Sequence, residues 1–193
     1  MTPLLCEECG EITPSHDIVN YGSIDHGSRL LCSRCFNVEV AKLSGVADFE
    51  NVRFEPIRIS DCAGETHQFH FQTRLLGNIV ALDAFELREG IPAGYQFQMV
   101  GDPKDDLFGL LGRMIGKIRR MLSIKYITDD ENGLHIADQT VQGRIEWDDS
   151  EVDYMPRVVV DGQEISWEEF GRMLVTFEGW QFKLEIRDPS DDL

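Results

Sequence analysis

The chain has 193 residues, of which 42% are hydrophobic and 9% aromatic, and it carries a formal net charge of −17. This composition is typical of a globular protein and excludes a disordered chain. No apolar run approaches the roughly 18 residues that a membrane-spanning helix needs. The start of the chain, Met1–Leu5, lacks the basic and long apolar regions of a secretory signal. We therefore expect a cytoplasmic protein without a membrane segment.

The negative charge is concentrated in the last third of the chain. Residues 129–193 contain eighteen acidic and five basic residues, whereas residues 51–128 contain nine acidic and ten basic ones. A charge of this sign repels a phosphate backbone at long range, which counts against general nucleic-acid binding. The negative charge favours solubility. Alternatively, it attracts a specific basic partner.

Two C-x-x-C pairs near the N-terminus form the most informative motif. Cys6 and Cys9 are separated by twenty-two residues from Cys32 and Cys35. Each pair supplies half of a tetrahedron, so the two pairs complete a four-thiolate site and leave no open position for water. The spacing predicts one structural Zn²⁺ ion per chain, bound by these four cysteines.

The residues around the two pairs indicate how each pair is held. Gly10 follows Cys9, as in a knuckle turn in which a positive φ lets backbone amides approach the sulfurs. After Cys35 no helix breaker occurs before Gly45, so we predict a helix through Ser44 with the second pair in its first turn. Two short strands are expected between the pairs, over His16–Tyr21 and Ser28–Leu31, with a turn at Asp25–Gly27.

A knuckle, a hairpin and a helix that carries the last two ligands resemble the treble-clef zinc fingers. The resemblance covers only about residues 1–50, and a zinc ribbon would more often show two glycine-bearing knuckles. The alternatives are iron in place of zinc, disulfide bonds, a redox C-x-x-C pair, and replacement of one thiolate by His16 or His26. The absence of an export signal argues against disulfides, and redox pairs usually occur singly.

Residues 51–193 are predicted to form a second domain, so that the whole chain is an α+β protein with a small treble-clef-like finger and an antiparallel sheet packed against two helices. Alternating or β-branched segments predict the following strands: Phe54–Ile59, Thr66–Thr73, Asn78–Leu82, Tyr95–Val100, Thr140–Trp147, the hairpin Arg157–Ile165, and Trp180–Arg187. Val141, Ile145 and Trp147 are expected to point inward, as are the alternate apolar residues of the last strand. Turn chemistry is expected at Ile91–Gly94 and at Asp161–Gly162.

Two helices are predicted in this domain. The first runs from Pro103 to about Leu122, is capped by Asp102, and carries an apolar stripe for the core. The second begins at the capping box Ser166–Glu169 and ends near Leu174. In the first helix Gly109, Gly112 and Gly116 share one side, which favours close internal packing, with a partner surface as the alternative.

No nucleotide-binding, hydrolase or metalloprotease motif occurs, so the sequence predicts no catalytic residue. The leading hypothesis is a non-catalytic zinc-binding adaptor or regulator that binds another protein. A second hypothesis is a nucleic-acid-binding regulator that uses the finger and a basic helix face, formed by Arg113, Lys117, Arg119, Arg120 and Lys125.

A third hypothesis is a metal-dependent hydrolase or nuclease that uses His67 and His70. On a strand these two histidines point to opposite faces, and the fifth cysteine, Cys62, has no partner in the sequence. We therefore expect His67 and His70 to be half-buried residues with a structural role. The sequence does not predict the identity of the partner or the oligomeric state.

Overall fold

The computed structural model of the chain describes residues 4–23, 27–46, 49–131, 133–147 and 155–191. Its helices are α1 (Ser33–Ser44), α2 (Leu107–Met121) and α3 (Trp167–Val175), and a single 3₁₀ turn covers Ser15–Asp17. Its strands are β1 (Leu4–Leu5), β2 (Ile12–Thr13), β3 (Ile18–Ser23), β4 (Gly27–Cys32), β5 (Ile57–Ser60), β6 (Thr66–Leu76), β7 (Ile79–Arg88), β8 (Ile91–Gly101), β9 (Ile127–Asp130), β10 (Gly133–Ile136), β11 (Arg144–Trp147), β12 (Pro156–Val160) and β13 (Gln163–Ser166).

The N-terminal part consists of two hairpins followed by a helix. β1 pairs with β2, and β3 pairs with β4 in the register Ile18 to Cys32. α1 follows β4 without a connecting loop and ends at Gly45, whose φ of 65° is left-handed. The predicted hairpin and helix are thus present. His16 lies in the 3₁₀ turn rather than in a strand, and the predicted turn residues Asp25 and His26 lie outside the described residues.

The central part is an antiparallel sheet in the order β5-β6-β7-β8, covered by α2. The apolar stripe predicted for α2 faces this sheet, where it buries Leu107, Leu110, Met114, Ile118 and Leu122. The connection from α1 packs on the same core through three partly buried residues, Phe49, Val52 and Phe54. This agrees with the expectation that the connection is not a flexible linker.

The predicted turn at Ile91–Gly94 is wrong, because these residues begin β8. The turn lies two residues earlier, at Glu89 and Gly90, which have φ values of 53° and 80° as a two-residue hairpin turn requires. Pro92 is tolerated in β8 because this strand forms an edge of the sheet.

The predicted cap of α2 is also displaced. The Asp106 side chain, not that of Asp102, accepts the backbone N–H groups of Phe108 and Gly109, and the helix begins at Leu107. Asp102 instead accepts the N–H of Lys104 in the preceding turn. The sequence offers two aspartates four residues apart, and the later one caps the helix.

The C-terminal part has a separate core. The sheet β11-β12-β13, the hairpin β9-β10 and α3 enclose Ile127, Val158, Val160, Ile165 and Met173. The α+β class is therefore confirmed, although α2 and α3 pack against different sheets. Both Asp161 and Gly162 have positive φ in the predicted hairpin turn, and the Ser166 side chain caps α3 by accepting the Glu169 N–H.

Two predictions of buried apolar faces are wrong in this part. Ile145 and Trp147 of β11 are each 55% exposed, whereas Val141, predicted with them, is partly buried against the C-terminal core. Residues 180–187 lie in no strand, and the four side chains predicted to be buried are exposed, with Trp180 at 61%, Phe182 at 91%, Leu184 at 72% and Ile186 at 71%. The alternation is present in the sequence, but the described residues provide no neighbouring strand to cover it.

The prediction of close packing at the α2 glycines is wrong as well. A Cβ atom added at Gly112 would meet nothing within 4 Å, and one added at Gly109 or Gly116 would contact only side chains of α2 or its cap, Asp106 and Arg120. The glycine side of α2 faces outward. No helix in the described part of the chain is long and apolar enough to cross a membrane.

The buried Asn37 side chain joins α1 to the central sheet. β5 pairs with β6 only as far as Phe69, so β5 provides no partner for the backbone N–H and C=O groups of β6 beyond Phe69. The Asn37 amide takes the place of that strand, because it donates to the Thr73 carbonyl at 2.9 Å and accepts the Leu75 N–H at 2.8 Å. A side chain that is 1% exposed thus continues the ladder of β6.

Asn37→Ala is expected to lower the free energy of unfolding by about 2–4 kcal/mol, because two buried backbone groups of β6 lose their partners. Urea denaturation of the zinc-loaded protein measures the change. Asn20→Ala, at an exposed position of β3, is the matched control and is expected to change stability by less than about 0.5 kcal/mol. Equal effects of the two substitutions would contradict the bridging role of Asn37.

Candidate metal centre

A tight turn between β1 and β2 presents the first cysteine pair. The Cys6 N–H donates to the Glu11 carbonyl at 3.0 Å, and the Gly10 N–H donates to the Cys6 carbonyl at 2.9 Å. Gly10 has a φ of 75°, as the knuckle prediction requires. A further bond, from the Glu7 N–H to the Leu30 carbonyl at 2.8 Å, holds this turn against β4.

The second cysteine pair lies at the start of α1. Cys32 is the last residue of β4 and the N-cap of the helix, with an extended backbone, and Cys35 lies in the first turn. The Cys32 N–H donates to the Cys6 sulfur at 3.2 Å, so backbone polarity is directed at a ligand atom. β4 and α1 together therefore bring the second pair up to the first.

The four sulfur atoms of Cys6, Cys9, Cys32 and Cys35 lie within 4.8 Å of one another. A tetrahedral ion with metal–sulfur bonds of about 2.3 Å places its ligand atoms about 3.8 Å apart. The Cys9 and Cys32 sulfurs are 4.0 Å apart, which fits this geometry and far exceeds the roughly 2.05 Å of a disulfide. The four cysteines can therefore hold one four-coordinate metal ion.

Burial and backbone hydrogen bonds shift the pKa values of Cys6, Cys32 and Cys35 in different directions. Burial opposes ionisation of Cys6, but hydrogen bonds from the backbone amides of Cys9, Cys32 and Glu8 outweigh it and lower the pKa of Cys6 to about 6. Burial raises the pKa of Cys32, and burial together with the neighbouring thiols raises the pKa of Cys35. Four thiolates can share so small a volume only when a cation neutralises them.

A second group of ionisable side chains surrounds His67. Its Nδ1 atom lies 2.9 Å from Glu86 Oε1, and its Nε2 atom lies 3.4 Å from Asp61 Oδ2. Asp61, Glu65 and His67 are also close enough to offer ligand atoms to one ion. His67 is a candidate from the sequence, whereas Asp61 and Glu86 are not, because these residues come together only through the pairing of β6 with its neighbours.

The Asp61 carboxylate already has a full set of donors. It accepts the N–H groups of Ala63 and Glu65, and its Oδ2 lies 2.7 Å from Lys125 Nζ. Burial acts to raise the pKa of Asp61, but the Lys125 ammonium and these N–H donors outweigh it and hold the pKa well below its usual range. Lys125 supplies the positive charge that a metal ion would otherwise supply, so this cluster is best explained as a structural ion-pair network.

The structure does not bring the other residues of the hydrolase hypothesis to this cluster. His70 lies on the opposite face of β6, where its ring stacks on Phe85 and contacts the Gln68 amide. Burial lowers the pKa of His70. Cys62 is exposed, and its backbone N–H donates to the Leu122 carbonyl.

The basic residues near the end of α2 do not form one continuous face. Lys117 is 6% exposed, and its ammonium donates to the carbonyls of Gln98, Pro189 and Asp191. Lys125 is paired with Asp61. Arg113, Arg119 and Arg120 remain exposed. Two of the five bases in the nucleic-acid hypothesis are thus engaged within the chain.

A groove of about 420 Å³ lies between α1 and the segment that follows it. It is lined mainly by apolar atoms, including those of Val38, Ala41, Val46 and Phe49. Lys42 is its only titratable lining residue in the described part of the chain. The groove therefore offers no pair of groups for general acid–base chemistry.

Three family models match consecutive segments of the chain, and each is described only as a domain of unknown function. They are DUF7685 over residues 5–47, DUF7686 over residues 50–123 and DUF7713 over residues 126–191. No curated protein and no solved structure matches. The division of the chain at about residue 50 stays a prediction, and these similarities identify no activity.

Cys32→Ala is expected to reduce bound zinc from about one ion per chain to nearly none, because the remaining three sulfurs do not complete the tetrahedron. Elemental analysis of the purified protein measures the stoichiometry. Cys62→Ser is the matched control, since it removes the one cysteine that lies outside the cluster, and it is expected to leave zinc unchanged. Wild-type zinc content in Cys32→Ala would contradict the assigned ligand set.

Asp61→Asn is expected to lower the free energy of unfolding at pH 7 by about 1.5–3 kcal/mol, because Lys125 loses its charged partner. The low pKa of Asp61 in the folded state means that its contribution is present above the unfolded pKa of about 3.9 and is lost as the pH falls below that value. Urea denaturation of wild type and variant at each pH should therefore show a difference that shrinks below about pH 4.

Asp105→Asn, at an exposed position before α2, serves as the control for this experiment. Comparison of each variant with wild type at the same pH cancels any loss of metal in acid. A difference between Asp61→Asn and wild type that stays constant down to pH 2 would rule out the proposed ionic contribution of Asp61.

Proposed function

We propose that this protein is a non-catalytic, zinc-binding adaptor or regulator that acts in the cytoplasm by binding another protein. The observation that carries the proposal is the closed set of four cysteine sulfurs. An ion held by four protein ligands has no position left for water or substrate, so it stabilises structure and does not activate a nucleophile. The His67 cluster gives no competing active site, because Lys125 and backbone amides already satisfy Asp61.

Zinc is the ion that this site fits best. Four thiolates on a knuckle and on a helix start are a common structural zinc arrangement, and iron is the alternative. The order of knuckle, β3-β4 hairpin and α1 supports a treble-clef type of finger. With four thiolates, the zinc site would itself carry a charge of −2, which adds to the net negative charge of the chain.

The outer face of α3 is the surface that best suits a protein partner. Trp167 and Leu174 are 42% and 46% exposed, and Val175 is 67% exposed. Their spacing of seven and eight residues places them on one side of the helix, with Gly171 between them. Glu178 lies nearby at an exposed position, and so do Glu164 and Glu168, which form ion pairs with Arg157 and Arg172. The apolar stripe favours a segment that carries apolar side chains, and the net charge of −17 favours a basic one.

The nucleic-acid hypothesis has weaker support than the protein-binding one. A phosphate backbone would meet a chain of charge −17, and Lys117 and Lys125 are engaged internally. The hydrolase hypothesis also has weak support, because His67 and His70 point away from each other across β6.

Affinity capture with the tagged, zinc-loaded protein tests the proposal. The extract from the cells of origin is first treated with nuclease, so that nucleic acid cannot bridge two proteins. We expect a basic protein that is retained at about 50 mM salt, is lost at about 500 mM salt, and binds directly when it is purified, because charge steers the association.

A Leu174→Ser/Val175→Ser variant is expected to weaken this direct binding about tenfold or more, because the apolar stripe of α3 is lost. Leu43→Ser, at a position of α1 that is 75% exposed, is the matched control and should bind as wild type does. Two results would overturn the assignment of this surface. One is that no basic protein is captured above a tag-only control, and the other is that the Leu174→Ser/Val175→Ser variant binds as tightly as wild type.

A further inference from the structure

Residues 180–187 have the sequence of a strand but no strand partner among the described residues. Trp180, Phe182, Leu184 and Ile186 alternate with polar residues, and all four are at least 61% exposed. In the described part of the chain no backbone–backbone hydrogen bond involves residues 181–187. Eight residues of alternating pattern without a ladder are a template for pairing with another chain.

Both ends of this segment are attached to the fold. The Trp180 N–H donates to the Phe177 carbonyl at 2.9 Å, just after α3. The carbonyls of Pro189 and Asp191 accept hydrogen bonds from the buried Lys117 ammonium on α2, at 3.2 and 2.7 Å. The exposed stretch is therefore presented between two fixed points and is not part of a loose tail.

A complementary edge exists in the C-terminal sheet. β11 pairs with β12 on one side, and no described residue pairs with its other side. Ile145 lies opposite Val158, which lies opposite Ile165, so the three share one face of the sheet. Val158 and Ile165 are buried, whereas Ile145 is 55% exposed. The apolar face of the sheet thus continues, uncovered, to the β11 edge.

We propose that residues 180–187 of one copy of the chain add to β11 of a second copy as an antiparallel strand. A twofold arrangement would fill both β11 edges at once, because each copy gives one strand and accepts one. The ladders between strands described in each copy are all antiparallel, which favours this direction.

Charge selects one register for this pairing. With Leu184 opposite Ile145, Lys183 faces Glu146 and Glu185 faces Arg144, so both polar pairs have opposite charges, and Phe182 meets Trp147. A shift of two residues in one direction places Arg144 opposite Lys183. A shift in the other direction places Arg144 opposite Arg187 and Glu146 opposite Glu185. Of these three registers, only the first has no like-charge pair.

The occupant is a second copy because, among the described residues, the segment forms no backbone hydrogen bond with β11 of its own chain. Lys117 and the end of α3 fix the segment in the conformation that leaves it exposed. The sequence of the segment matches β11 of the same protein in both charge and apolar pattern. This self-association uses neither the metal centre nor the α3 face, so it goes beyond the proposed function.

Sedimentation velocity of the full, zinc-loaded chain over a range of concentrations tests the inference. We expect a dimer, and in hydrogen exchange we expect slowed amides within residues 182–185. Leu184→Ser should raise the dimer dissociation constant about tenfold or more, because a side chain that is 72% exposed in one copy is buried in two symmetric contacts. Leu43→Ser, equally exposed on α1, should leave the dimer intact.

Glu185→Lys should also weaken the dimer by about tenfold, because it replaces the acidic residue that faces Arg144 by a basic one, and in the two shifted registers Arg144 still faces Lys183 or Arg187. Glu178→Lys makes the same change of net charge outside the paired residues and should have no effect.

A chain that stays monomeric at every concentration overturns the proposal. If its 182–185 amides are nevertheless slow to exchange, the segment occupies the β11 edge of its own chain. A dimer that is unaffected by both Leu184→Ser and Glu185→Lys is formed by another surface and equally overturns the proposal.

Discussion

Four sulfur atoms converge on a single position in the N-terminal part of this protein, and a metal ion there would hold this part together. Among the described residues, the buried core around that position consists of Cys6, Leu31, Cys32, Cys35 and Phe36, with Val19, Tyr21 and Val40 partly buried against it, and three of the five buried residues are candidate ligands. So small an apolar cluster cannot offset the conformational entropy of ordering about forty residues. A metal ion bound by the four cysteines in the folded form and not in the unfolded one would supply the missing free energy.

The same helix that carries Cys35 also connects the metal centre to the rest of the molecule. Asn37, two residues after Cys35, contacts β6, where it completes hydrogen bonds that β5 leaves open. The Asn51 amide donates to the Arg34 carbonyl at 2.8 Å and thereby fixes the chain that leaves α1. α1 therefore connects the candidate metal site directly to β6 of the central sheet.

Local patterns predicted the features that depend on neighbouring residues. The clustering of the four cysteines, the end of α1 at Gly45 and the buried stripe of α2 each follow from a local sequence pattern. The structure confirms all three. The error at Ile91–Gly94 arose because Pro and Gly indicate a turn locally, whereas pairing with β7 placed these residues in an edge strand.

Features that depend on distant residues could not be predicted. The network of Asp61, His67, Glu86 and Lys125 joins positions up to sixty-four residues apart, and nothing near any one of them indicates the others. The burial of Lys117 depends likewise on the carbonyls of Pro189 and Asp191. The alternation over Trp180–Arg187 led to a wrong prediction of a buried strand, because whether such a sequence pairs and is covered depends on which edge is available to it.

X-ray absorption spectroscopy at the zinc edge of the purified, metal-loaded protein tests the central claim most directly. The account predicts a single shell of four sulfur atoms at about 2.3 Å from the ion. A shell that contains nitrogen or oxygen ligands, or fewer than four sulfurs, would contradict the assignment of Cys6, Cys9, Cys32 and Cys35 as a closed structural site.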